Sequence, residues 1–244
     1  MPMHRLLRPA MASLLALSPV PAPAAGPSLD FSGAAPGTNL PAGWTRYAMS
    51  RHKPPAAVTV EAMDGRSVVH IAADRGAGAI AHRFDAPAQS TLRWRWKIDR
   101  TVAKGDLGKK AGDDFAARVY VFFDVPRSQL TFGQRMKLAL ARDFTGQDLP
   151  GAALCYVWDN RHPVGTVAPN PFYAPVRTIV VESGDARAGQ WQAETRDLAA
   201  DFRKAFGTPA PRITGIAIAA DTDNTRSQAN AWFADLALEP AATP

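Results

Sequence analysis

Asp113 and Asp114 stand together just ahead of a run of strand-forming residues, with Arg118 a few positions further on. Two carboxylates held close can split their pKa values, leaving one as acid and one as base, which is what glycoside hydrolysis requires. Adjacent residues at the start of a strand point to opposite sides, so such a pair needs a second acid from elsewhere, with Asp221 or Glu182 as candidates. The competing expectation is an aspartate that orders its loop and pairs with Arg118. A second cluster, Asp221-Thr222-Asp223-Asn224-Thr225, offers oxygens from Asp221, Asp223 and Asn224 as a partial calcium loop does. It lacks the glycine and distal glutamate of the full motif, so a turn closed by Asx hydrogen bonds competes with it, and calcium is the only cofactor with any support. His52, His70, His82 and His162 lack zinc-site spacing, and no serine-nucleophile, phosphate-loop or dinucleotide motif occurs.

Binding chemistry is better represented than catalysis. In Leu92 to Asp99 the alternation puts Leu92, Trp94, Trp96 and Ile98 on one face of a strand and Arg93, Arg95, Lys97 and Asp99 on the other. From Phe115 to Val125, Ala117, Val119, Val121, Phe123 and Val125 read as core, leaving Arg118, Tyr120, Phe122 and Asp124 opposite. Along Leu154 to Trp158, Cys155 and Val157 read as inward and Tyr156 and Trp158 as outward. If these strands share a sheet, Arg93, Arg95, Lys97, Arg118, Tyr120, Tyr156 and Trp158, with Asn160 just beyond, form one aromatic and basic face. Flat rings suit the apolar faces of sugars, and planar guanidinium donors suit hydroxyls or uronate carboxylates. The alternative is that these side chains pack under helices or pair with Asp99, Asp124 and Glu182.

The elements that position them are mostly short strands. Trp44 to Tyr47 reads as an edge strand; Val58–Glu61 and Val68–Ala72 form a hairpin through Asp64-Gly65; Ala79–Phe84 alternates before Pro87 ends it. Further strands are expected at Arg177–Glu182, Gln190–Glu194, Ile213–Ala220 and Ala231–Leu238. Asp197 to Phe206 is a helix, capped by Asp197, ended by Gly207 and striped by Leu198, Phe202, Ala205 and Phe206. Ser128 to Asp143 reads as a short amphipathic helix or excursion, and the long loop Asp159 to Tyr173 is of a kind that is commonly functional. Many strands with turn signals and one clear helix predict an all-β, antiparallel sandwich of jelly-roll type, spanning 28–240 as a single domain.

Residues 1–25 read as a signal peptide: Arg5 and Arg8 lead a short apolar core and Ala22-Pro23-Ala24-Ala25 offers a cleavage region. No stretch reaches the length of a spanning helix, so a periplasmic or secreted location is expected. Losing Arg5 and Arg8 lowers the net charge from +6 to +4. So mild a bias, without basic clusters, does not suggest nucleic acid; it would suit an anionic envelope polymer, or solubility alone. Cys155 is the single cysteine, which excludes an intramolecular disulfide, and it reads as a packed side chain and not a nucleophile. Nothing in the sequence speaks to oligomeric state.

Arg93-Trp94-Arg95-Trp96, Ala111 to Tyr120, Tyr156-Val157-Trp158, Pro163-Val164-Gly165, Asp221 to Thr225 and Ala231 to Asp235 together resemble the bacterial domain-of-unknown-function family 3047. The resemblance spans Leu29 to Glu239 and implies an exported bacterial protein, without an activity to carry onto any residue. More remotely, the closing strand with Trp232 and Asp235 is similar to the last strand of carbohydrate-binding jelly rolls. The expected function is glycan or envelope-polymer binding on the aromatic and basic face. A carbohydrate-active enzyme built on Asp113 or Asp114 and Arg118, and an envelope scaffold docking through Ser128 to Asp143, are the alternatives.

Overall fold

A computed structural model describes residues 27–47, 53–125 and 151–240; residues 1–25, expected to be a signal peptide, and the 128–143 segment lie outside these. The strands are β1 (Trp44–Tyr47), β2 (Ala57–Met63), β3 (Arg66–Asp74), β4 (Ala77–Ala86), β5 (Ser90–Ile98), β6 (Phe115–Phe123), β7 (Ala152–Asp159), β8 (Val167–Pro169), β9 (Val176–Ser183), β10 (Gln192–Asp197), β11 (Ile213–Asp221) and β12 (Gln228–Pro240), with helix α1 (Leu198–Phe206) after β10. They form a seven-stranded sheet ordered β1-β4-β11-β6-β7-β9-β8 and a five-stranded sheet ordered β10-β5-β12-β3-β2. All pairings are antiparallel except β7 with β9. The two sheets close on one another as the expected jelly-roll sandwich.

Alternation decides what lies between the sheets. Leu92, Trp94, Trp96 and Ile98 of β5 are buried, as are Val119, Val121 and Phe123 of β6 and Phe233 and Leu236 of β12. The β2–β3 hairpin turns on Asp64 and Gly65, whose φ values of 53° and 75° match the two left-handed positions its tight turn needs. α1 starts where Asp197 accepts from the Ala200 N–H at 3.0 Å and ends at left-handed Gly207. Its Phe202 ring sits 4.6 Å from that of Phe123, closing one end of the core.

Two expectations are corrected here. Tyr156 and Trp158 face inward, not outward: β7 pairs Tyr156 opposite Val119 and Tyr120 opposite Cys155. The rings of Tyr156 and Trp158 lie 5.3 and 5.9 Å from those of Trp94 and Trp96 in the inter-sheet core. Cys155 and Val157 sit in a smaller apolar cluster on the other side, with Phe115 and Val180. All eight residues of β7 are buried, so parity alone carried no sign there. The second correction concerns adjacency: β5 belongs to the five-stranded sheet and β6 and β7 to the seven-stranded one, so Arg93, Arg95 and Lys97 point out from the opposite side of the sandwich to Arg118 and Tyr120.

Candidate functional site

The outer face of the seven-stranded sheet is hollowed by small side chains. In β11 Ile216 and Ile218 go inward, leaving Ala217 and Ala219 outside; in β4 Ile80 goes inward beside Ala79 and Ala81, and Ala217 pairs with Ala81 on one side and Tyr120 on the other. Over this alanine floor lies an open cleft of about 420 Å³. Tyr47, Tyr120, Phe122, Phe172 and Tyr173 line it, with Lys53, Asn170 and Asn224 at its polar edge and Asp113, Arg118 and Asp221 at its base. Tyr120 and Phe122 are two apart on β6, and their rings lie nearly parallel with centroids 6.2 Å apart.

Arg118 is 1% exposed and organises the base. Its Nε donates to Asp221 Oδ1 at 2.9 Å and its Nη2 to Asp221 Oδ2 at 2.7 Å; Nη1 and Nη2 each donate to Asp113 Oδ1 at 3.2 Å, and Nη2 also to the Asp113 carbonyl at 2.6 Å. This planar fork lies 4.5 Å over the Phe115 ring. Such charge-assisted, bidentate contacts hold the base in one geometry. Burial pushes the Asp221 carboxyl up to about 7, with Asp113 and Asp114 adding to the rise against the pull of Arg118. Burial likewise pushes the Cys155 thiol up to about 12, consistent with a packed and inert side chain.

Asp113 and Asp114 diverge as expected of neighbours at a strand start. Asp113 Oδ2 accepts from Asn170 Nδ2 at 2.8 Å. Asn170 Oδ1 in turn accepts the N–H groups of Phe172 and Tyr173, an Asx turn that displays Phe172, 54% exposed, at the cleft mouth. Asp114 instead fastens the 221–225 loop: it accepts from the Asn224 N–H, Asn224 Nδ2, the Thr225 N–H and Thr225 Oγ1 at 2.6–3.2 Å.

Oxygens of Asp114, Asp221 and Asp223 lie within 4.8 Å of one another, so that Asp114 joins Asp221 and Asp223, two of the three residues the sequence offered for calcium. Most of these oxygens already have partners within the protein. Asp114 already holds four donors, Asp221 holds Arg118 and the Phe115 N–H at 3.0 Å, and Lys53 supplies the positive charge at 2.6 Å from Asp223 Oδ2. Asn224 spends its amide donors on the Asp113 carbonyl and on Asp114, while Asp223 Oδ1 is buried with no hydrogen-bond partner among the described residues.

The remaining sequence candidates lie elsewhere. Arg93 pairs with Glu239 at 3.5 Å and Arg95 with Asp235 at 3.4 Å, while Lys97 lies 5.5 Å from the Trp191 ring and 4.7 Å from that of Trp232. These partners replace the suggested Asp99, Asp124 and Glu182. Tyr156 donates to Asp201 at 2.8 Å and Trp158 Nε1 to the Gly184 carbonyl at 3.0 Å. Asn160 ties down its neighbouring loop through the carbonyls of Ala103 and Gly105. Glu182 pairs with Arg187, away from Arg118. The cleft thus gathers Asp113, Arg118, Tyr120, Asp221 and Asn224 from the sequence candidates and adds Tyr47, Lys53, Asn170 and Phe172. Of the added residues, Asn170 and Phe172 fall in the long loop Asp159 to Tyr173, whose length was the one signal of function there.

Fold and cleft together define a jelly-roll sandwich with a concave, aromatic-walled pocket on its larger sheet. The chain belongs to the protein family of unknown function DUF3047, whose profile matches residues 42–237. No curated protein matches the chain. Among solved structures it is similar to the xyloglucanase domain of NopAA, a type three effector from Sinorhizobium fredii in complex with cellobiose, at 9% identity and a TM-score of 0.44, covering 83% of this chain and 96% of that one. It is also similar to a family 12 xyloglucanase from Bacillus licheniformis in complex with ligand, at 6% identity and a TM-score of 0.46, covering 84% of this chain and 96% of that one.

Proposed function

We propose that this protein binds a glycan in the cleft on the outer face of its seven-stranded sheet. The observation that carries the reading is the pairing of aromatic walls, Tyr120 with Phe122 and Tyr47, with an alanine floor and a pre-paired polar base of Arg118, Asp113 and Asp221. Sugar rings offer apolar C–H faces to the first and hydroxyls to the last. Groups already locked by one another need little ordering when ligand arrives, which favours affinity. A glycan array should show binding that is lost in Phe122→Ala and kept in Arg93→Ala, which changes the opposite side of the molecule. Failure of the wild type on neutral and acidic glycans alike would overturn the proposal.

Hydrolysis is the second reading, and what favours it is the position of Asp221 at the base of the cleft with its carboxyl raised by burial, the direction a general acid needs. Against it, Asp113 and Asp114 are both committed, to Arg118 and Asn170 and to the 224–225 backbone. Release of reducing ends by wild type and not by Asp221→Asn would replace the binding reading with the enzymatic one. The proposal includes export, on the strength of the basic start and small-residue cleavage region; fractionation of cells expressing the full chain should place the shortened protein outside the cytoplasm.

A further inference from the structure

Resting on the glycan reading of the cleft, we infer that its ligand is an acidic glycan, bound with its hydroxyls toward Asp113 and Asp221 and its carboxylate at the mouth between Lys110 and Lys53. The two ammonium groups converge on one exposed ring: Lys110 Nζ lies 5.5 Å and Lys53 Nζ 6.0 Å from the centroid of Phe172. Phe172 acts as a post that gathers them, since a ring face attracts cations and the Asx turn at Asn170 fixes where the ring stands. Lys53 is partly neutralised by Asp223, but Lys110 is exposed and forms no ion pair among the described residues. Lys109, adjacent in sequence, is held by Asp106 at 2.9 Å.

The base of the cleft has the opposite character. Asp113 and Asp221 share the one guanidinium of Arg118, so carboxylates outnumber cations there, and a ligand carboxylate pushed to the bottom would be repelled. Sugar hydroxyls, which donate, are what such acceptors take. Charge therefore sorts the ligand from end to end: donors deep, carboxylate at the rim.

Titration calorimetry at low salt with alginate, polygalacturonate and glucuronan oligomers, each against its carboxyl-reduced counterpart, tests this. The acid form of at least one pair should bind more tightly, with the advantage shrinking as salt is raised. Lys110→Gln should weaken the acid form by about two- to fivefold and leave the reduced form unchanged, the scale of one exposed charge pair. Reduced forms binding as well as or better than their acids, or an acid preference untouched by Lys110→Gln, overturns this inference and leaves glycan binding standing. No binding of either form in any pair overturns both.

Discussion

Arg118 and Asp221 meet across neighbouring antiparallel strands through two parallel hydrogen bonds of 2.9 and 2.7 Å, in a space almost closed to water. The strand register slips between Ala219 and Asp221, where Ala219 faces Arg118 but Asp221 faces Phe115, and the guanidinium spans the gap. A fork of this shape cannot be reproduced by an ammonium group.

Arg118→Met should therefore cost roughly 3–5 kcal/mol, because it leaves Asp113 and Asp221 buried without a counter-charge. Combining Arg118→Met with Asp113→Asn and Asp221→Asn should recover much of that loss. Urea unfolding at neutral pH measures both, and a single substitution that costs nothing would show the cluster to be structurally idle.

The rim between β9 and β10 carries a pH dependence. Glu194 faces inward beside Glu182, accepts from Trp96 Nε1 at 3.2 Å and has Arg187 and Arg196 near it; burial first, then the Glu182 carboxylate, push it up to about 7. Between its ordinary value of 4.5 and about 7 the folded chain keeps a proton that the unfolded chain has released, so stability falls as pH rises through that window and levels off above it. Glu182 is raised too, in the same sense, and its Oε2 is buried without a hydrogen-bond partner among the described residues. Glu194→Gln keeps the Trp96 bond, so unfolding midpoints at pH 5 and pH 8 should lie closer together in the variant than in wild type.

The two tryptophans of β5 should respond differently to removal of the indole N–H. Trp96 donates to Glu194, whereas Trp94 Nε1 is buried with no partner among the described residues. Both changes to Phe open a cavity, but Trp94→Phe also relieves an unsatisfied donor, so it should be less costly than Trp96→Phe by about 1 kcal/mol. Equal losses in chemical denaturation would contradict this.

At α1, Asp197→Ala should cost about 1 kcal/mol through the lost cap. Gly207→Ala should cost about 1–2 kcal/mol, because φ is 75° there and a Cβ is disfavoured in the left-handed region. Since Phe202 seals one end of the core, both should lower the thermal midpoint and not merely fray the helix.

Strand periodicity was legible wherever one face of a strand is polar. Arg93, Arg95 and Lys97 against Leu92, Trp94 and Trp96 marked β5, and Arg118 and Tyr120 against Val119 and Val121 marked β6. Where burial is two-sided the alternation vanishes, and β7 turned over with respect to expectation because Cys155 and Tyr156 are both out of water. Sheet membership was not a local property: β5 finds its partners in β12 and β10, far along the chain, and no spacing within Leu92 to Asp99 records that. The cleft was half legible. Its charged base follows from Asp113, Arg118 and Asp221 as chemical types, but its floor depends on Ala79 and Ala217 being small, and small residues in a strand announce nothing until their neighbours are known.

The order of the strands bears on when this chain can fold. β11 lies inside the seven-stranded sheet between β4 and β6, and β12 inside the five-stranded sheet between β5 and β3, although they are the last two strands to be made. Until both have emerged from the ribosome, each sheet is split into halves with open hydrogen-bonding edges, so the nascent chain has no stable intermediate sandwich to settle into. Folding is thereby deferred until β12 has been made, a delay that would suit the export proposed above.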